Sequence, residues 1–222
     1  MFGRLIFVVG VASACQPVAP AAGPGNANQS AASERAPARP ARSAVGSADP
    51  EWESGWSKRW LARQALTLEL PDAAHWRKGT KVRSFVIEHP ASHSVLKVES
   101  ERAERLVRPA DCEQRARLAW PEAPRGDDAS RVDARRLDVP PGYVTQVEVL
   151  VLPLQEDTAE GHVLAFGAAV GRCLALHFTT RASGPERFER IAERLGLVTG
   201  RLLPSITPLS ADDRVQTEPL DR

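Results

Sequence analysis

The stretch RCLALHFTT, residues 172–180, constrains the fold more than any other part of the sequence. Its positions part into two sets: Leu174, Leu176 and Phe178 on one side, Cys173, Ala175 and His177 on the other. Alternation by two is the strand period. Neither side is charged, and a strand apolar on both faces must be covered on both. The bulky side calls for a helix with large apolar residues, and the small side admits one at close approach. RPADCEQRARLAW, residues 108–120, fits the small side, with Pro109 in the first turn and Cys112, Ala116 and Ala119 at helical spacing. SGPERFERIAERLGLVTGRLL fits the bulky side. Ser183 or Gly184 can cap it and Pro185 suits the first turn. Phe188, Ile191, Leu195, Val198 and Leu202 form a stripe facing the sheet, and Pro204 stops the helix.

Other strands are read from alternation and turn residues. LTLEL (66–70) turns Leu66, Leu68 and Leu70 inward and ends at Pro71-Asp72. KVRSFVIEH (81–89) and SVLKVES (94–100) form a hairpin across PASH. RVDARRLDV (131–139) and YVTQVEVLVLPL (143–154) are joined by a Pro-Pro-Gly turn, and GHVLAFGAAV (161–170) leads through Gly171 into the opening stretch. The class is α+β: an antiparallel sheet of about six to seven strands with a middle helix and a long C-terminal helix packed on it. In EWESGWSKRWLARQA (51–65), Trp52, Trp56 and Trp60 share a face if the stretch is helical. They then pack on the domain or touch a partner or the membrane interface.

Ahead of this domain the chain changes character. MFGRLIFVVGVASAC holds Arg4, an apolar run from Leu5 to Val11 and the small residues Ala12-Ser13-Ala14, the layout of a secretory signal. The run is about ten residues, where a spanning helix needs about 20. Cleavage after Ala14 would release a soluble protein. With Cys15, the same residues resemble the lipobox of bacterial lipoproteins, with Ala12 where that family usually has leucine. The Ala-, Pro-, Gly- and Ser-rich segment 16–50 favours lipidation of Cys15, because it reads as a disordered tether. A flexible coil of about 35 residues spans on the order of 30–35 Å. Lipoprotein sorting implies the outer membrane, facing the periplasm, since Gln16 and not Asp follows the cysteine. The expected layout is a signal at 1–14, Cys15 and tether to residue 50, one domain at 51–206 and a polar tail at 207–222.

If Cys15 carries lipid, two of the three cysteines remain. Export puts them in an oxidising compartment, so Cys112 and Cys173 are expected to pair. The bridge would close a loop of about 60 residues, worth roughly 4 kcal/mol in the chain-entropy account. Lys and Arg number 29 against 28 Asp and Glu. That balance points away from nucleic acid as a partner.

Catalytic signatures fail on context. Ser94 and Lys97 have Ser-x-x-Lys spacing but sit in a strand, where residues three apart face opposite ways. His89 and His93 have the spacing of a zinc-binding pair, but Pro90 lies between them and the stretch is a hairpin turn, so they are weak metal candidates. His177 reads as a structural hydrogen-bonder. Asp111 and Glu113 read as a solvated helix face. GAAVGR lacks the glycine spacing of a phosphate loop, and no Gly-x-Ser-x-Gly occurs. No cofactor is expected.

LELPDAAHWR, ERAERLVRPADCEQRARL and GHVLAFGAAVGRCLALHFTTRASGP together resemble a group of uncharacterised lipoproteins from myxobacteria and related predatory or soil bacteria. The likeness covers roughly residues 66–206 and implies an envelope location without a mechanism. By element order the domain also looks PsbP-like, a fold whose members are mostly non-catalytic adaptors; function does not travel with fold. The expectation is a non-catalytic envelope lipoprotein acting through contact with another envelope protein. The alternatives are a carrier of lipid or a small apolar ligand, enclosed between the sheet and the C-terminal helix, which needs more cavity than the small residues around Ala165, Gly167, Ala168 and Ala169 leave, and an envelope hydrolase.

Overall fold

The computed structural model describes residue 52 and residues 55–79, 85–103, 106–126, 130–155, 157–216 and 218–219. The chain divides into units Met1–Ser43 and Ala44–Arg222, and every described residue belongs to the second. The signal, Cys15, the tether and the strand residues before Phe85 lie outside the described residues.

The fold is α+β, built on a seven-stranded antiparallel sheet in the order β3-β4-β5-β9-β8-β7-β6. These strands are β3 (Arg77–Lys78), β4 (Phe85–His89), β5 (Ser94–Arg102), β6 (Ser130–Leu137), β7 (Val144–Gln155), β8 (Thr158–Ala169) and β9 (Arg172–Ser183). The hairpin β8–β9 is its centre. Leu66–Leu70, expected in the same sheet, instead joins a second, smaller one: β1 (Ser57–Leu61), β2 (Leu66–Leu70), β10 (Thr207–Pro208) and β11 (Glu218–Pro219), ordered β10-β2-β1-β11. β10 and β11 come from the stretch read as a polar tail. β10 brings the Thr207 hydroxyl to 2.7 Å from that of Thr67, which is why Thr67 is buried although it faces away from Leu66 and Leu68.

The two faces of β9 meet what their side chains call for. Leu174, Leu176 and Phe178 join a core with Leu68 and Leu70 of the small sheet and Ile191, Leu195, Val198 and Leu202 of the C-terminal helix. Fully burying each such side chain is worth about 1.5–3 kcal/mol. Gly161 lets that helix close in: a Cβ there would stand 2.5 Å from Ile191 Cγ2. On the second face, Ala116 and Trp120 of the middle helix (Pro109–Ala119 and its C-cap) pack on Ala175, Leu164 and Phe166. Cys112 and Cys173 are bonded there, their Cα atoms 5.3 Å apart, against Ala168. The small residues permit this approach.

The C-terminal helix (Arg187–Leu197) departs from expectation in two ways. It does not stop at Pro204 but runs through a π-helical stretch, Val198–Leu202, into a last turn, Leu203–Ser205. Pro204 falls within that turn, and the helix ends one residue beyond it, Ile206 being extended. Phe188 is 44% exposed with the Arg187 guanidinium over its ring, so the buried stripe starts at Ile191. Of the tryptophan stretch, Trp52 is helical, but Gly55 takes a φ of 75° and β1 begins at Ser57, so Trp60 lies on a strand. At the far edge, β6 exposes residues 131–136.

Candidate functional site

The end of β4, the turn after it and the turn after β2 converge on one histidine. His89, the last residue of β4, is fully buried, with Nε2 3.0 Å from Asp72 Oδ2 and Nδ1 2.8 Å from Ser92 Oγ. The other oxygen of Asp72 lies 2.6 Å from His75 Nδ1. Asp72 has a φ of 45°, a left-handed conformation that aspartate tolerates through local hydrogen bonds. Its turn is fixed by His75 N–H donating to the Asp72 carbonyl (3.0 Å) and Trp76 Nε1 donating to the Pro71 carbonyl (2.9 Å). Ser92 ends a single 3-10 turn, Pro90–Ser92, and His93 closes it in the left-handed region. The rings of Trp76 and Trp52 wall the site, their centroids 5.4 and 6.1 Å from that of His89.

Behind Ser92 runs a buried hydroxyl chain. Ser92 Oγ donates to Ser94 Oγ and Ser94 Oγ to Thr180 Oγ1, each at 2.9 Å. Arg194 of the C-terminal helix donates to the Ser92 carbonyl (2.8 Å), Thr180 Oγ1 (2.9 Å) and the Arg181 carbonyl (3.1 Å). Burial raises the pKa of Asp72, but hydrogen bonds from His75 and His89 outweigh it and hold the carboxyl below its ordinary range.

Asp72, His89 and Ser92 are connected in the order of a serine-hydrolase relay. Ser92 is only 3% exposed, however, and its hydroxyl is also engaged by Ser94 within the buried chain. This array holds a turn in place and presents no nucleophile. Its other capacity is ligation: Asp72, His75 and His89 each bring one ligand atom to within 4.8 Å of the others. Sequence spacing paired His89 with His93, but His93 points to solvent, and His75 is the residue brought to His89. The one local signal was the Asp72–His75 spacing of three; the partner across the fold carried none.

A second polar group lies on the opposite sheet face, past the end of the middle helix. His162 Nδ1 and His177 Nε2 are 3.2 Å apart with their rings stacked, Thr179 Oγ1 is 3.2 Å from the same His177 nitrogen, and Trp120 lies against His177. Burial above all, then the neighbouring His162 and Lys97, pushes His177 down to about 3. Glu160 is raised by burial but lowered more by His162 and Arg181, and is held at about 2.

The remaining sequence candidates are dispersed. Ser94 faces the first side and Lys97 the second, where Lys97 Nζ meets Glu122 Oε1 at 2.6 Å. Trp52 is buried against Phe178, Trp56 is half-buried under the Arg201 guanidinium, and Trp60 is half-buried on β1. Among the described residues no helix is long and apolar enough to cross a membrane.

No family model and no curated protein matches the chain. A solved structure from Bacteroides thetaiotaomicron VPI-5482, at 1.50 Å resolution, is similar with a TM-score of 0.37 and 12% identity. The likeness takes in 67% of this chain and 46% of that one, so the chain spans less than half the length of its structural neighbour.

Proposed function

We propose that this chain is a lipid-anchored cell-envelope protein, attached through Cys15, whose folded domain works by contact with another envelope protein. The observation that carries the location is the bond between Cys112 and Cys173. Such bonds persist in oxidising compartments and are rare in the cytosol. The Arg4-to-Cys15 segment supplies the matching export signal in sequence.

Contact is favoured over carriage by the packing. The space between the sheet and the C-terminal helical stretch, lined by Ala165, Leu174, Leu176, Leu203 and Ile206 among others, has a volume of about 10 Å³. That is room for about one water molecule and for no lipid chain. Surface grooves are larger: one of about 520 Å³ runs beside the middle helix, past Glu99, Glu101, Arg115 and Leu118. Leu118 is 80% exposed in it, an apolar residue between charges of both signs.

Crosslinking in the native cell, followed by affinity purification of wild type and Cys15→Ser, tests the reading. A discrete envelope protein recovered with wild type and lost with the variant is the expected result. Recovery of the mature chain in the soluble fraction without acyl mass sinks the anchor, and no partner from either form sinks the contact role.

A further inference from the structure

We propose that Asp72, His75 and His89 form a binding site for a divalent transition-metal ion of the zinc class. The donor set is two imidazoles and a carboxylate, the ligands that zinc and its neighbours take where thiolates are absent. Three features set the group apart from an ordinary surface ion pair.

The first is convergence from separate segments. Asp72 and His75 belong to the turn after β2 in the small sheet, and His89 ends a strand of the large one, yet their ligand atoms lie within 4.8 Å. Zinc bonds of about 2.0–2.2 Å place neighbouring ligands roughly 3.3 Å apart. Asp72 Oδ2 and His89 Nε2 are already 3.0 Å apart. The side chain of His75 is 67% exposed and free to swing the remaining distance.

The second is the support behind the buried ligand. A metal-bound histidine donates its other ring N–H to a fixed partner, which sets tautomer and orientation. Ser92 Oγ stands 2.8 Å from His89 Nδ1, held by the hydroxyl chain to Thr180 and Arg194. Binding exchanges the tautomer of His89. Without metal, the proton on Nε2 faces Asp72 and Nδ1 accepts, from the Ser92 hydroxyl turned away from Ser94 (2.8 Å) and in a long bond (3.3 Å) from the Ser92 N–H. With metal on Nε2, the proton sits on Nδ1 and donates to Ser92 Oγ, and that long bond is given up. The third is access: a cleft of about 250 Å³, bordered by Asp72, His75, Arg77, Pro90 and Ala91, opens on the exposed side. An ion entering there meets His75 first and His89 last. Arg77 beside the cleft suits an anion or a partner's carboxylate as the outer ligand.

The site does not depend on the envelope reading and is tested apart from it. The full chain, purified without a polyhistidine tag, is titrated with Zn²⁺ by calorimetry and with Co²⁺ by visible absorption. One equivalent is expected to bind and to raise Tm, as any ligand specific for the folded state does. Affinity is expected to fall as acid protonates the imidazoles. His75→Ala, at an exposed position, should fold as wild type but lose both the one-to-one binding and the Tm increase. His93→Ala should retain them. Binding weaker than about 1 mM, or one-to-one binding that survives His75→Ala or disappears with His93→Ala, overturns the proposal.

Discussion

At His177 the fold holds an imidazole uncharged. Its neighbours are Trp120, a second histidine and a threonine hydroxyl, and Lys97 disfavours further positive charge. Below the ordinary histidine value of 6.5 the unfolded chain takes up a proton that the folded chain refuses until about 3. The unfolded state therefore binds more protons across that window, and stability falls with acid, by at most about 1.4 kcal/mol per pH unit for one group. Glu160 adds a loss of the same sign lower down. Its paired carboxylate stays ionised to about 2, whereas the unfolded group protonates near 4.5. Urea midpoints should be steeper with pH in wild type than in His177→Gln between pH 6.5 and 5, with both proteins losing stability below 4.5. Parallel curves across the upper window would remove His177 as the cause. The sequence made His177 legible as a structural histidine because strand alternation put it on the small-residue face. It could not reveal His75 beside His89, since those residues meet only when a turn of the small sheet closes on an end strand of the large one.

The elements divide by how self-contained their signals are. β9 and both major helices were readable because their apolar periods match the surfaces they cover. In the tryptophan stretch a spacing of four suits a helix, and Trp52 is helical, but Gly55 and the β1–β2 pairing from Ser57 to Leu70 impose strand geometry on the rest. Phe188 fits the helical stripe by period, but it lies in the first turn of the helix, 44% exposed, with the Arg187 guanidinium over its ring. The middle helix is fastened to β8 and β9 by Ala116, Trp120 and the cysteine bridge, with Arg117 over the Phe166 ring and Arg115 paired to Glu101. The bridge spans a sequence separation of 61. Replacing both cysteines by serine should cost about 2–4 kcal/mol, read as a lower denaturant midpoint under non-reducing conditions. Adding reductant to wild type should give the same shift and leave the variant unmoved. A wild type indifferent to reductant would mean that the helix is held without its bond.

At the scale of the whole molecule, among the described residues the C-terminal helix and the small sheet cover the first face, and the middle helix covers part of the second. The last strand of the large sheet, β6, pairs among the described residues with β7 alone and exposes Arg131, Asp133, Arg135 and Arg136. Unpaired strand edges are templates for pairing with another chain, and charge is a common means of blocking them. Replacing Arg135 and Arg136 by threonine should raise light scattering on storage at high concentration without lowering the denaturant midpoint. Unchanged scattering would show that those arginines do not guard the edge. The consequence reaches past solubility in a tube. If the chain is anchored through Cys15 as proposed, it meets its own copies far more often than a protein diffusing in volume, and β6 is a strand at which two copies could fuse their sheets. The arginines of this strand would then act as spacers in a two-dimensional crowd, keeping neighbours from polymerising edge to edge.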